Sequence, residues 1–197
     1  MHISFIKLSY ALYSPLCWIL LKLKSVKNNG ACFFCGFPVI RNDGSIHVGR
    51  HCRFMSKTTG NPIGLSHPCM LTASSNNSII RIGDNCSFSG VSIWCFESII
   101  IGNKVRVGAN CLIMDGDAHQ DDPRSGYNRP IVIEDNVWLG GNVVVKKGVT
   151  IGRNSVIGMN SVVTKDIPAN CVAIGNPCVV VRQFDESKIN EIENYFK

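Results

Sequence analysis

A chain of 197 residues, 45% hydrophobic and 17% charged, is about one domain long and apolar enough to bury a core, which excludes a disordered tail. Aromatics at 8% against 18 glycines speak against a bundle of long helices and for regular, closely approaching backbone. Twenty basic minus fourteen acidic residues leave +6; without a long Lys/Arg run, an RNP-like motif or a paired Cys/His finger, that surplus fits a phosphorylated small molecule better than nucleic acid.

The N-terminal segment, residues 1–30, holds an apolar stretch over residues 8–21 between Lys7 and Lys22, too short to span a bilayer and carrying Pro15. Neither a signal-peptide start nor a cleavage site is evident, so a cytoplasmic protein is expected. Two readings stand for residues 1–24. The segment caps one end of a core, or Tyr10, Tyr13, Trp18, Lys22 and Lys24 hold it against the inner face of a membrane.

A six-residue period dominates the middle of the chain. Ile133, Leu139, Val145, Ile151, Ile157 and Val163 recur without a slip, and four places after each stands Val137, Val143, Val149, Ser155, Ser161 or Ile167. Gly140, Gly152 and Gly158 each follow an interior aliphatic, with a glycine or polar pair expected to turn the corner. The hexad recurs upstream from Ile82, Phe88 and Trp94, then after a one-residue slip from Ile101, Val107 and Ile113, with a degenerate copy at Val48. One inward side chain per short strand and three hexads per turn predict a mainly β fold of stacked triangular coils, about 18 residues each and about 4.8 Å apart. Ile133 then lies under Ile151, Leu139 under Ile157 and Val145 under Val163. The β domain is expected over residues 31–184.

Ten cysteines invite a metal or redox reading, but Cys52, Cys86 and Cys111 occupy the small interior place that serines fill later. Cys35, Cys52, Cys69 and Cys86 are spaced 17 apart, as one stacked column of buried thiols would be. Cys32 and Cys35 form a lone CxxC without the second pair a structural zinc needs, so neither a metal nor a disulfide is expected.

The repeat breaks after Ile113. Continuing it would bury Asp117 and His119 in a dry prism, so the coil opens and residues 119–130 form a projecting loop with Asp121, Asp122, Pro123, Arg124 and Gly126. His119 is the natural general base for a hydroxyl, with Asp115 or Asp117 to orient it. Lys146, Lys147, Arg153, Lys165 and Arg182 make the C-terminal half basic. Residues 185–197 read as a short amphipathic helix with Ile189, Ile192 and Phe196 on one side.

The sustained hexads, the DGDAH of residues 115–119, the loop ending in RPIVI and the following EDNVWLGGNVVVKKGVTIGRNSVIGMNSVVTKDIPANCVAIGNPCVVVR resemble the left-handed parallel β-helix, or hexapeptide-repeat, acyltransferases over residues 48–177. Within them the stretch looks like the maltose and galactoside O-acetyltransferase branch and its polysaccharide-modifying relatives. The resemblance implies acetyl transfer from acetyl-coenzyme A to a sugar hydroxyl, in a homotrimer with active sites between subunits. It makes His119 the base and Gly141 N–H an oxyanion donor, and places Trp138, Met159, Thr164, Lys165 and Arg182 along the cofactor. The stretch Trp94, Cys95, Phe96 and Glu97 departs from that branch by lacking its acceptor-binding asparagine. A serine O-acetyltransferase, another small-hydroxyl acceptor and a non-catalytic β-helix binding module are the competing readings.

Overall fold

The computed structural model describes residues 2–119 and 121–195. Phe196, expected to complete the apolar side of the C-terminal helix, lies outside them, as does Gln120 in the loop.

Three sheets form the sides of a triangular prism. The first face stacks Lys27–Asn28, Ser45–Val48, Ile79–Ile82, Ser98–Ile101, Ile131–Ile133 and Thr150–Ile151. The second stacks Phe33–Cys35, Arg53–Met55, Ser87–Ser89, Arg106–Ala109, Trp138–Leu139, Val156–Ile157 and Cys171–Ile174, and ends in the antiparallel Val179–Gln183. The third stacks Val39–Asn42, Met70–Ala73, Ser92–Cys95, Leu112–Met114, Val144–Val145 and Val162–Val163. The chain visits the faces in that order and climbs one level per circuit, a left-handed parallel β-helix.

The predicted ladders form: Ile133 pairs with Ile151, Leu139 with Ile157 and Val145 with Val163, all fully buried. Lower in the prism the ladder turns aromatic, with Phe34, Phe54 and Phe88 stacked at centroid spacings of 5.1 Å. Among the described residues, seven of the ten non-glycine positions with positive φ are asparagines at corners. Asn85, Asn110, Asn136, Asn142, Asn154, Asn160 and Asn170 all have φ near +60°, a region their short polar side chain tolerates. They also link levels, Asn136 donating to Asn154 and Asn154 to Asn170 at 2.8 Å. The glycines after the interior aliphatics have another cause. A Cβ on Gly152 would come within 2.4 Å of Ala169 N, and one on Gly140 within 2.7 Å of Met159 N, so the next coil's backbone needs that space.

Several expectations change. The residue inside at the third face is Ile93, paired with Ile113, while Trp94 points outward and donates to Ser74 Oγ. The spacing is therefore five from Phe88 to Ile93, across the corner of Gly90 and Val91, and eight from Ile93 to Ile101, two departures from six in place of one slip. The cysteines do not form one column. Register sets Cys32, Cys52 and Cys86 at the corner before the second face, and Cys69 with Cys111 at the corner before the third, because no coil in this part is 17 residues long. All ten are buried and free, and burial pushes the Cys17 and Cys111 thiols up to about 11, which keeps those two protonated. The prism starts at Lys27, inside the expected N-terminal segment. A second excursion, residues 56–68 with the 3₁₀ turn Thr58–Gly60, leaves the stack between the second and third faces.

Helix α1, His2–Leu23, lies against the first coil, with Cys17 and Leu21 buried. Ser14 Oγ accepts from Phe34 N at 3.0 Å and Trp18 Nε1 donates to Cys32 O at 2.9 Å, so α1 satisfies groups on the prism's end strands. Helix α2, Glu186–Tyr195, follows the antiparallel strand.

Candidate active site

The loop between the third and first faces is rooted on Asp115, which is fully buried. Its carboxylate accepts the N–H groups of Phe96, Glu97 and Ser98 at 2.7, 2.9 and 2.7 Å, and the Cys95 thiol lies 3.4 Å away. Burial, then the neighbouring Asp115, pushes that thiol up to about 12. Asp115 is thus spent on the turn of the coil below, which corrects its expected support of His119: three backbone donors already use its oxygens. Next to it a Cβ on Gly116 would lie 2.3 Å from Asn128 Oδ1 and 2.7 Å from the Phe96 ring, so the chain can fold back here only through glycine.

Asp117 faces the next coil up. Lys147 Nζ donates to Asp117 Oδ2 at 2.5 Å and to Gly126 O at 3.0 Å, and Lys146 Nζ lies 3.6 Å from the other oxygen. The hydrogen bond from Lys147 holds the Asp117 carboxyl below its ordinary range. One half-buried ammonium so ties the start of the loop to its far side, while Arg129 N donates to Asp115 O and Gly148 N to Arg129 O, both at 2.9 Å. Lys146 and Lys147, two of the basic residues of the C-terminal half, are thus committed to the loop. Register arithmetic was the available signal: Ile113 pairs with Val145, an offset of 32, which sets Lys147 over Asp115.

His119 is exposed at the loop's outer start. Among the described residues its ring has no hydrogen-bond partner; its backbone oxygen accepts from Asp122 N at 3.2 Å. Asp122 in turn holds Arg124 by a two-pronged pair on the surface.

The expected cofactor residues fall at different parts of the prism. Thr164 and Lys165, both exposed, follow Val163 at the His119 corner, one level above Lys146 and Lys147. Gly141 and Met159 share the second-to-third corner. The Gly141 N–H donates to no acceptor among the described residues, and a Cβ there would meet Met159 Cε at 3.3 Å and Ile63 Cδ1 at 3.9 Å. Ile63 comes from the second excursion, which sequence reasoning missed because residues 56–68 carry no repeat to interrupt visibly. Trp138, 53% exposed, stands outward on the second face between Arg106 and Val156, in the wall of a cavity of about 500 Å³ that Ile192 of α2 helps to close. Arg182 lies on the last strand of that face, its guanidinium 5.5 Å from the Phe184 ring centroid. Arg153 sits at the remaining corner, so the basic residues do not form one groove within a protomer. Among the described residues no group of His, Cys, Asp and Glu is arranged to hold a metal ion.

A model of the hexapeptide repeat of succinyl-transferase matches residues 79–114 and 130–165. The galactoside O-acetyltransferase of Escherichia coli (strain K12) is 38% identical over 149 residues, covering 73% of this chain and 70% of that protein. The galactoside O-acetyltransferase of Lactococcus lactis subsp. lactis (strain IL1403) is 49% identical over 94 residues, 45% of either chain, so this alignment spans less than half of that relative. Among solved structures, a hexapeptide-repeat-containing acetyltransferase from Vibrio cholerae superposes with a TM-score of 0.55 at 25% identity, covering 92% of this chain and 86% of that one. A variant of AntD, an N-acyltransferase from Bacillus cereus in complex with dTDP and coenzyme A, gives a TM-score of 0.70 at 16% identity over 91% of this chain and 94% of that one, a likeness of fold. With its hexads regular from Ile133 to Val163, its triangular coil and a galactoside O-acetyltransferase aligned along most of its length, the chain belongs to the hexapeptide-repeat acyltransferase family.

Proposed function

We propose that this protein is an O-acetyltransferase that moves an acetyl group from acetyl-coenzyme A to a hydroxyl of a sugar or surface-polysaccharide precursor in the cytoplasm. The observation that carries the reading is an exposed imidazole, His119, unpartnered among the described residues, on a clamped loop of a chain aligned with a galactoside O-acetyltransferase over 149 residues.

A thioester is already activated, so the site needs a base, an oriented alcohol and a donor for the developing oxyanion. His119 takes the hydroxyl proton as the oxygen attacks the thioester carbonyl. The negative charge moves to the carbonyl oxygen, for which the unused Gly141 N–H is the donor. As the C–O double bond re-forms, the C–S bond breaks and the coenzyme A sulfur leaves with the proton from the imidazolium. Trp138, Met159, Thr164, Lys165 and Arg182 line the path of the cofactor. Their spread over corners of one prism supports a homotrimer in which His119 of one protomer meets the Gly141 corner of the next. The Trp94 and Phe96 rings, 5.0 Å apart beside Gly116, offer the acceptor sugar an apolar face in place of the missing asparagine.

The test is release of free coenzyme A thiol from acetyl-coenzyme A with a panel of sugar hydroxyl acceptors, including galactosides, with sedimentation for the oligomer. Acceptor-dependent release by a trimer is expected. A protein that neither binds acetyl-coenzyme A nor releases thiol with any acceptor is a β-helix binding module.

A further inference from the structure

Independently of the acyl-transfer reading, we infer that α1 is a membrane-docking helix that lies flat on an anionic phospholipid bilayer and presents the end of the prism to it. Helix α1 has two opposed faces. Ser9, Ser14, Cys17 and Leu21 are buried against the first coil, and the half-buried Tyr10 and Tyr13 turn the same way, their rings 5.9 and 5.2 Å from those of Phe33 and Phe37. The tyrosines expected to anchor the helix at a membrane therefore pack on the protein. The outward side is aliphatic instead: Leu8, Leu12, Leu16, Ile19 and Leu23 recur at steps of four, four, three and four and are 68, 62, 50, 56 and 76% exposed. The expected alternatives of packing and membrane contact are thus both occupied, by opposite faces of one helix.

What covers this stripe follows from charge and placement. No Asp or Glu occurs before Asp43, while Lys7, Lys22, Lys24, Lys27 and Arg41 do, and Lys22 and Lys24 are exposed at the helix end beside Leu23. Two copies meeting through this face would bring like charges together with no acid to pair them. An anionic bilayer supplies the missing charge. The strands that α1 covers are the end strands of the second and first faces, Phe33–Cys35 above all, and it bonds to their free backbone groups, so the stripe faces off the end of the stack, three levels below the His119 corner. Among the described residues no helix is long and apolar enough to cross a membrane, and α1's polar and packed side stays on the prism, so it lies on the surface.

The test is flotation of the full chain with vesicles of phosphatidylcholine alone and of phosphatidylcholine with phosphatidylglycerol, comparing wild type, the triple variant L12E/L16E/I19E and the double variant K22E/K24E. The wild type is expected to bind the anionic vesicles at least tenfold more than the neutral ones. The triple variant should lose that binding and the double variant its preference for anionic lipid, with melting temperature and turnover on a soluble acceptor unchanged in both. Absence of wild-type binding to anionic vesicles, or full binding by the triple variant, overturns the inference. So does a wild-type assembly larger than that of the triple variant in the absence of lipid, which would make a second copy the occupant. Unchanged circular dichroism in the triple variant separates lost docking from lost folding, and loss of thiol release would bear on the enzymatic reading alone.

Discussion

Two loops leave the prism, and they are held in different ways. Residues 56–68 are fixed by local backbone bonds and an apolar plug: Leu65 is buried, Leu65 N donates to Thr58 O, and Ser66 N donates to Asn110 Oδ1. Their histidine, His67, is half-buried with Nδ1 2.9 Å from Pro68 O. The loop rooted at Asp115 is fixed by charges, a buried carboxylate below and a lysine above, and it leaves the His119 ring without a partner among the described residues. Both project from the same scaffold. An interruption of the repeat is therefore not itself a site, since the array has one without a free titratable group. A site needs a titratable group left free on a loop whose root is rigid.

The contrast breaks most decisively at the two histidines. H119A should lower kcat for acetyl transfer by about 10²–10⁴-fold, the usual yield of a positioned base, with no loss of melting temperature, because the ring is exposed. H67A should keep kcat within about twofold; equal losses in the two variants would erase the distinction between the loops.

Next in size is the root. D115A leaves the N–H groups of Phe96, Glu97 and Ser98 without their acceptor, and at about 1–3 kcal/mol for each buried unsatisfied donor the prism should lose ~3 kcal/mol or more in denaturant unfolding. An unfolding midpoint equal to wild type would show that Asp115 is free for another task.

The clamp sharpens the comparison further. K147M should reduce kcat about 10–100-fold with little change in KM for acetyl-coenzyme A, through misplacement of His119, and K147R should recover part of it. Because the Asp117 carboxyl is held below its ordinary range, the clamp is present above the unfolded value near ~3.9 and is lost only as pH falls through the lower folded value. Protease nicking of residues 119–130 should be unchanged from neutral pH to about 5 and rise below ~3.9 in the wild type, but be high throughout in K147M. The smallest effect is expected at Ile63, where an exposed aliphatic beside Gly141 is worth at most about 1 kcal/mol, so I63A should move KM by less than about fivefold and spare kcat.

The C-terminal half of the coil was legible residue by residue. From Ile133 to Val163 every interior position follows from a period of six, because each coil there repeats at 18 residues and a single slip would turn aliphatics outward. Below Ile113 the coils vary in length. Ile40 pairs with Leu71 but Ile99 with Ile80, so counting misplaced Trp94 and the cysteine column. His119 was legible as the residue a dry prism must expel. Its neighbours were not: Asp115, two residues from Asp117, points down into the stack while Asp117 points up to Lys147, and only the fold separates them.

The sequence by itself determined the prism, its interior ladders and the place where the chain must leave them, since burying one aliphatic every six residues admits few other arrangements and excludes charge from the interior. The tertiary structure alone decided which carboxylate is structural, that Lys147 closes the loop, that the residues expected along a cofactor divide among corners, and that α1 keeps an aliphatic face bare. Each of these depends on which residues the fold brings level with one another across gaps of 14 to 32 positions, and on which side of an element faces a neighbour. Local pattern carries neither.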